Sequence, residues 1–324
     1  MISVLIPVYN TEQYLLRCLN SVLNGVYKDI EVICVNDGST DNSKEILEEI
    51  CRKDSRVKIV HTVNRGLPAA RARALQESTG DYIAFIDSDD YVHFRYLEEM
   101  YDCAKKYDAD VVYCACRRFT TESLSDSDTV EKPKKVDFGN MSKGNYFRNY
   151  VWGRLYKKNI LKKGFFGENM DFQDSIFNMC NVGVLKDPII YYIKTPMYYY
   201  YRRAGSRSSM DDFDDRLFNT INWIYHGNPE ERNHLLYYQG LKWALHYRWY
   251  LMLKKDKFGI EDMNKKLAYF RYQIDDFSQI RFHQKLFYSI LIACPKLYEL
   301  IRISLDRSML KWKKNVSQME SKKR

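Results

Sequence analysis

A doubly wound α/β domain followed by a helical C-terminal region is the architecture that the sequence predicts, on three observations. Four apolar, β-branched runs open the chain at nearly even spacing: Ile2–Val8, Ile30–Val35, Val57–His61 and Tyr82–Ile86. Segments with helical periodicity fill the intervals. From about residue 211 to 310 the pattern is helical, broken at Pro229 and Pro295. Short buried strands alternating with helices of about 10–14 residues imply a parallel sheet covered on both faces.

The elements follow in order. After the first strand, Tyr14, Leu15, Cys18, Leu19 and Val22 share one helical face. After the second, Ile46, Leu47 and Ile50 do the same, behind the N-cap candidates Asp41 and Ser43. Ala69–Glu77 is the third helix, and a helix Phe94–Tyr107 with a strand Asp110–Ala115 makes a fifth unit. Thr120–Pro133 is polar and reads as a surface loop. Tyr146–Leu161 and Phe172–Val184 read as helices rich in aromatics, and 191–201, with six Tyr, as a packed strand.

Composition narrows the class. The chain has 324 residues, 45% hydrophobic, with only 14 Gly and 7 Pro, which excludes collagen-like and disordered chains. The longest apolar run, Leu286–Cys294, falls well short of the roughly 20 residues that a spanning helix needs. The N-terminus shows no basic leader and no cleavage site, so no signal peptide is expected. Eight cysteines form no CxxC pair and no zinc pattern, which fits reduced, buried thiols in a cytoplasmic protein. The net charge of +9 is uneven: residues 1–120 are net −4, 121–240 net +2 and 241–324 net +11. A positive charge confined to the tail provides no continuous phosphate-binding stripe, so no specific nucleic-acid partner is expected.

The strand ends carry the chemistry. They read Pro7-Val8-Tyr9-Asn10, Asn36-Asp37-Gly38-Ser39, Asn64-Arg65-Gly66 and Asp87-Ser88-Asp89-Asp90. In an open parallel sheet the carboxyl ends of the strands border the ligand crevice, and here four of them present polar groups to one edge. Asp87 and Asp89 can hold a hard divalent cation that bridges a diphosphate; Asp89 or Asp90 could equally cap the next helix. Asp37 can only accept hydrogen bonds, so facing a base it favours uracil or guanine, whose rings offer an N–H; a tight turn and helix cap explain the same residues. Arg71 could reach the base or the phosphates, or be a solvated helical arginine. Neither a Walker-A loop nor a GxGxxG follows the first strand, which argues against a P-loop kinase or a nicotinamide dehydrogenase.

Ile6-Pro7-Val8-Tyr9-Asn10, Val35-Asn36-Asp37-Gly38-Ser39-Thr40-Asp41, Asn64-x-Gly66-x-x-x-Ala70-Arg71 and Gly80 through Asp90, in this order and spacing over residues 2–115, resemble family 2 of the inverting glycosyltransferases. The resemblance implies a GT-A, Rossmann-like nucleotide-sugar domain with a mixed sheet. Pro7, Tyr9, Asn10, Asp37, Asn64, Arg71, Asp87, Ser88 and Asp89 would contact the donor. Asp87 and Asp89 would carry Mn²⁺ or Mg²⁺. An inverting transfer also needs a base for the acceptor hydroxyl. The family's Glu-Asp pair at a helix start corresponds to Gln173-Asp174 here, which makes Asp174 the base, with Asp171 and Glu168 as rivals. Trp152, in a segment similar to capsule and lipopolysaccharide members, could stack on an acceptor sugar or belong to the core. Arg202 or Arg203, in the segment Tyr199–Ser208, would clamp the diphosphate.

These readings imply a catalytic domain over residues 1–210, with a nucleotide-sugar half at 1–115 and an acceptor half at 140–210, and a basic helical region at 211–324. The expected activity is transfer of a hexose or N-acetylhexosamine from a UDP-sugar to a glycan or lipid-linked glycan in bacterial surface-polysaccharide synthesis. A GDP-sugar donor and a non-catalytic sugar-binding module are the alternatives. Residues 279–314 alternate apolar clusters with Lys and Arg, which suits a helix lying on an anionic membrane, at the inner face of the cytoplasmic membrane, or one capping the catalytic domain.

Overall fold

The computed structural model describes residues 1–119, 129–136, 150–161, 173–201, 215–226 and 256–273, with scattered positions between 237 and 251. The first half follows the expected alternation: β1 Ile2–Val8, α1 Glu12–Leu23, β2 Ile30–Asp37, α2 Ser43–Lys53, β3 Val57–Thr62, α3 Leu67–Glu77 and β4 Tyr82–Phe85. After these come β5 Tyr91–Val92, α4 Tyr96–Tyr107, β6 Val111–Phe119, β7 Lys134–Val136, β8 Arg154–Lys157, α5 Gln173–Asn181, β9 Ile190–Tyr201, α6 Asp215–His226 and α7 Lys257–Tyr272.

The strands form one mixed sheet in the order β3-β2-β1-β4-β8-β6-β9-β5, with β7 added beside β9. The first four run parallel, and β8 is antiparallel to both β4 and β6. Strand β9 runs parallel to β6, and the register slips around Ala115, where Pro196 has no N–H to give the ladder.

All seven residues of β1 are buried because both faces of the sheet are covered. Ile2, Val4, Ile6 and Val8 join one core with Leu15, Leu19 and Val22 of α1 and Leu97 and Met100 of α4. Leu5 faces the other way, with Ala70 and Ala74 of α3 and Phe177 of α5. A third core links Ile176 and Met179 of α5 to Leu217 and Ile221 of α6 and Met263 and Phe270 of α7. The C-terminal helices thus pack on the helix that carries Asp174. Among the described residues no helix is long and apolar enough to cross a membrane.

Two expectations need correction. Residues 150–161 are not helical: they form β8 and a short 3₁₀ turn, Lys158–Ile160. Gly153 adopts a left-handed φ of 69°, which stops a helix, and Leu155 and Tyr156 are buried between β4 and β6. The N-cap of α2 is Asn42, not Asp41 or Ser43. Asp41 nevertheless serves both sides, its Oδ1 accepting from Ser43 N at the start of α2 (3.0 Å) and its Oδ2 from Glu12 N of the neighbouring loop (3.0 Å), and Ser43 Oγ accepts from Thr11 N (3.1 Å). Asn10 Oδ1 accepts from Thr40 N (2.8 Å) and Asn10 N donates to Ser39 Oγ (3.1 Å). Glu12 Oε2 accepts from Asn42 N at 2.9 Å. The β1–α1 and β2–α2 loops are clamped in both directions.

The opposite edge of the sheet is latched by Glu31, a residue the sequence does not single out. Its carboxylate accepts from Ser3 Oγ (2.6 Å), Thr79 N (2.6 Å), Thr79 Oγ1 (2.8 Å), Gly80 N (3.2 Å) and Lys58 Nζ (2.6 Å). A side chain at Gly80 would come within 2.7 Å of Ser3 Oγ. Burial pushes the Glu31 carboxyl upward, but Lys58 and the hydroxyl and amide donors outweigh it, and its pKa falls from 4.5 to about 2. A depressed folded pKa contributes stability that is complete above about pH 4.5 and fades as the pH falls towards 2. Glu31→Gln is expected to destabilise the fold by about 1–3 kcal/mol at neutral pH. Urea midpoints should show the deficit shrinking below pH 4.5; a deficit constant with pH would deny Glu31 this role.

Candidate active site

The sheet order reverses between β1 and β4: β2 and β3 lie on one side of β1, and α3 carries the chain back to the other. Ligand crevices form outside the carboxyl ends of the strands at such a reversal. A cavity of about 460 Å³ opens there. Pro7, Tyr9, Asp37, Asn64, Arg71, Asp87, Ser88, Asp89, Trp152 and Asp174 all line it, so residues from distant parts of the chain meet in one place.

Arg71 sits at the floor, 2% exposed. One terminal nitrogen donates to Asp174 Oδ1 at 2.5 Å and the other to Asp87 Oδ1 at 2.6 Å. Burial works against its charge, yet Asp174 and Asp87 more than offset this, so its pKa lies above the ordinary value. Both terminal nitrogens are engaged by carboxylates, so in this state Arg71 organises the acidic groups from beneath.

Asp174 occupies the first turn of α5. Its Oδ2 accepts from Val151 N at 3.2 Å. Burial raises its pKa above 3.8; Arg71 pulls it down, Asp87 pushes it up and the Val151 amide pulls it down again, leaving it raised. A carboxyl of raised basicity, partly open to a cleft, is suited to take a proton. The helix is anchored by a chain of hydrogen bonds: Tyr156 donates to Asn178 Oδ1 at 2.7 Å, and Asn178 Nδ2 donates to Tyr150 O at 3.0 Å.

The turn Asp87–Asp90 closes with Asp90 N donating to Asp87 O at 3.0 Å. Asp87 and Asp89 face the cavity, while Asp90 is fully buried. Asp90 Oδ2 accepts from the Tyr198 hydroxyl (2.7 Å) and its Oδ1 from Tyr201 N (2.8 Å). Burial and the charges of Asp87 and Asp89 hold Asp90 well above the usual carboxylate range. The Tyr198 hydroxyl also accepts from Asp87 N at 3.1 Å. Ser88 is buried, its Oγ paired with Thr11 Oγ1 at 3.0 Å.

The donor set fits a divalent cation. Asp87 and Asp89 offer hard oxygen ligands to the cavity, and Asp87 Oδ2 is left over from the Arg71 pair. Among the described residues no cluster of three or more His, Cys, Asp or Glu side chains is placed to hold a metal. Two carboxylates plus diphosphate oxygens and water is a common donor set for Mg²⁺.

The remaining residues divide. Asp37 is buried, and its oxygens accept from Arg65 N (2.9 Å), Gly66 N (2.8 Å) and Thr62 Oγ1 (3.3 Å). It shapes the β3–α3 loop and keeps spare lone-pair capacity towards the cavity. Gly38, at a φ of 69°, lets Asn64 approach: a Cβ there would be 2.8 Å from Asn64 N. Asn10 stands outside the cavity lining, in the loop clamp. Trp152 is 8% exposed and stacks with Tyr150, Tyr198 and Tyr200 at centroid distances of 4.4, 4.6 and 5.3 Å. The cavity wall is therefore an aromatic stack, with Tyr150 and Tyr200 beside the indole. Arg202, Asp171 and Glu168 lie outside the described residues. The sequence reading did not single out Thr11, Tyr150, Tyr198 or Tyr200. The period of two through the tyrosine run was a signal for the last pair, since it puts Tyr198 and Tyr200 on one face of β9.

Comparisons with known proteins bear on the family and the fold. The profile described as "Glycosyl transferase family 2" matches residues 3–165. EpsH of Bacillus subtilis (strain 168), a glycosyltransferase by name, is 32% identical over 252 residues, covering 74% of this chain and 72% of its own. Glycosyltransferase GlyA of Streptococcus pneumoniae serotype 4 is 32% identical over 266 residues, 75% of this chain but only 38% of GlyA. The crystal structure of S. aureus TarS 1–349 in complex with UDP-GlcNAc superposes with a TM-score of 0.57 at 19% identity, covering 88% of this chain and 77% of that one. A profile spanning half of the chain and a relative aligned over nearly three quarters of it lead to one conclusion: the chain belongs to glycosyl transferase family 2, and it is a glycosyltransferase with the GT-A fold.

Proposed function

We propose that this glycosyltransferase moves a hexose or N-acetylhexosamine, with inversion, from a UDP-sugar to a glycan or lipid-linked glycan in bacterial surface-polysaccharide synthesis. The observation that carries the reading is the placing of Asp87, Asp89 and Asp174 around one cavity, with Arg71 tying Asp87 to Asp174. Leaving-group and nucleophile chemistry would then face each other across a single donor site. The fold neighbour TarS was crystallised with UDP-GlcNAc, which supports a uridine donor. Bacterial relatives named as glycosyltransferases, EpsH and GlyA among them, support sugar transfer.

In this mechanism Pro7, Tyr9, Asp37 and Asn64 border the nucleoside. Asp87 and Asp89 would hold Mn²⁺ or Mg²⁺. When bound, the ion neutralises charge developing on the departing diphosphate. Asp174 takes the proton of the acceptor hydroxyl as that oxygen attacks the anomeric carbon from the face opposite the leaving group. The aromatic stack of Trp152, Tyr150 and Tyr200 offers apolar surface to the acceptor sugar. Arg202 would reach the diphosphate. The basic tail would bring the protein to the inner face of the cytoplasmic membrane, where lipid-linked acceptors lie; co-sedimentation with anionic vesicles at low salt tests that attachment, and its absence would leave the tail a structural role.

A screen of UDP- and GDP-sugars, scoring nucleotide release and product anomer with and without Mn²⁺, tests the central reading. A UDP-sugar should be consumed only with metal, and Asp89→Ala should lose nearly all transfer while remaining folded. Full turnover in excess chelator, or in that variant, would remove the metal from the mechanism. Turnover of GDP-sugars alone would move the donor to guanosine, and retention of configuration would rule out Asp174 as an inverting base.

A further inference from the structure

Beyond the cavity, one cation stands in an unusual place. Arg17, on α1, donates from a terminal nitrogen to the backbone oxygen of Asp89 at 3.0 Å. Its guanidinium carbon lies 5.1 Å from the ring centroids of both Tyr91 and Phe119, 5.4 Å from Tyr201 and 5.8 Å from Tyr14. The four rings come from α1, β5, β6 and β9 and touch one another: Tyr91 meets Phe119 edge-on at 5.0 Å, and Tyr201 packs against Phe119 at 5.2 Å and Tyr14 at 4.9 Å.

Aromatic faces attract a cation, most strongly where water is displaced. Four of them around one guanidinium fix its place, while its planar fork fixes the direction of its hydrogen bonds. The target is a peptide oxygen in the turn that carries Asp87 and Asp89. That turn is held elsewhere through Asp87, by Arg71, and through Asp90, by Tyr198 and Tyr201. Asp89 lies between them, and Arg17 holds its peptide oxygen.

We infer that Arg17 is a positioning residue: caged by Tyr14, Tyr91, Phe119 and Tyr201, it fixes the Asp89 peptide and so aims the Asp89 carboxylate at the divalent cation and diphosphate of the donor. The inference rests on the proposed role of Asp89 as metal ligand. Arg17 touches neither donor nor metal in this scheme and acts only through Asp89. Groups that orient metal ligands typically change metal affinity by about 10- to 100-fold when removed.

The test is Mn²⁺ binding to the full chain in the presence of UDP, read by the electron paramagnetic resonance signal of free Mn²⁺. Wild type, Arg17→Met, Arg17→Lys and Asp89→Ala are compared, with thermal melting without metal as the control for folding. Arg17→Met is expected to raise the Mn²⁺ Kd at least about tenfold, with UDP affinity in the absence of metal unchanged. Its kcat should return to within about twofold of wild type at saturating Mn²⁺. Should Arg17→Met not fold, Arg17→Lys carries the test, because it keeps the charge in the cage and loses the planar fork; its Kd should rise as well. A folded Arg17 variant with wild-type Mn²⁺ affinity, while Asp89→Ala has lost it, overturns the positioning role and leaves Asp89 as ligand. If wild type itself takes up no Mn²⁺ with UDP, the metal reading and this inference fall together.

Discussion

Replacing Asp174 with Asn is expected to slow sugar transfer by about 10²- to 10⁴-fold, the usual cost of losing a general base. Asn keeps the shape and an oxygen for Arg71 but cannot take a proton. Donor affinity, measured by calorimetry with UDP-sugar, should change little, because the base serves the acceptor. The raised pKa of Asp174 also sets a direction for the pH profile. A carboxyl whose pKa lies above 3.8 gains its proton at a higher pH on acidification, so the acidic limb of kcat should lie above the value for a free aspartate. In Asp174→Asn that limb should vanish from the residual activity. An inactive Asp171→Asn beside an active Asp174→Asn would transfer the role to Asp171.

Arg71→Met is expected to be as damaging, by a different route. It removes the cation shared by two carboxylates and leaves Asp87 and Asp174 without their common partner at the floor of the cavity. Breaking a buried ion pair by deleting one partner costs about 3–5 kcal/mol. Transfer should fall with stability, because Asp87 and Asp174 lose their common anchor. The double variant Arg71→Met/Asp174→Asn should be less destabilised than the sum of the single variants, since the second change removes one of the stranded charges. Urea midpoints for the four-member cycle measure this. Strict additivity would mean that the 2.5 Å contact between Arg71 and Asp174 contributes no net coupling in solution.

Much of this site is legible in the sequence because its motifs are local. A β-strand ending in Asp87-Ser88-Asp89-Asp90 announces itself within a dozen residues, and strand alternation sets which edge it reaches. Asp174 was legible only through its resemblance to a family pattern. What could not be read was partnership. Arg71 and Asp174 are 103 residues apart, and nothing in either segment signals that they meet. The same is true of Tyr198, which reaches back 108 residues to Asp90, and of Arg17, whose cage draws on four elements. The misread helix at 150–161 has a local cause. Its aromatics suit either period, and the left-handed Gly153 together with pairing to β4 and β6 decides for a strand. The candidate caps of α2 divide for a tertiary reason: Asp41 serves its own helix through Ser43 N and the neighbouring loop through Glu12 N, while Ser43 Oγ accepts from Thr11 N of that loop.

That loop clamp has a consequence for protein engineering. Asn10 with Thr40, Glu12 with Asn42, Asp41 with Glu12 and Ser43 with Thr11 exchange hydrogen bonds in both directions. Each side chain satisfies a backbone donor of the other loop, so neither loop is complete alone. A chimera that takes the β1–α1 loop from one relative and the β2–α2 loop from another would strand several of these amides at once. Residues 10–43 therefore behave as an indivisible cassette, and crossover points for domain shuffling belong outside it, in α2 or beyond.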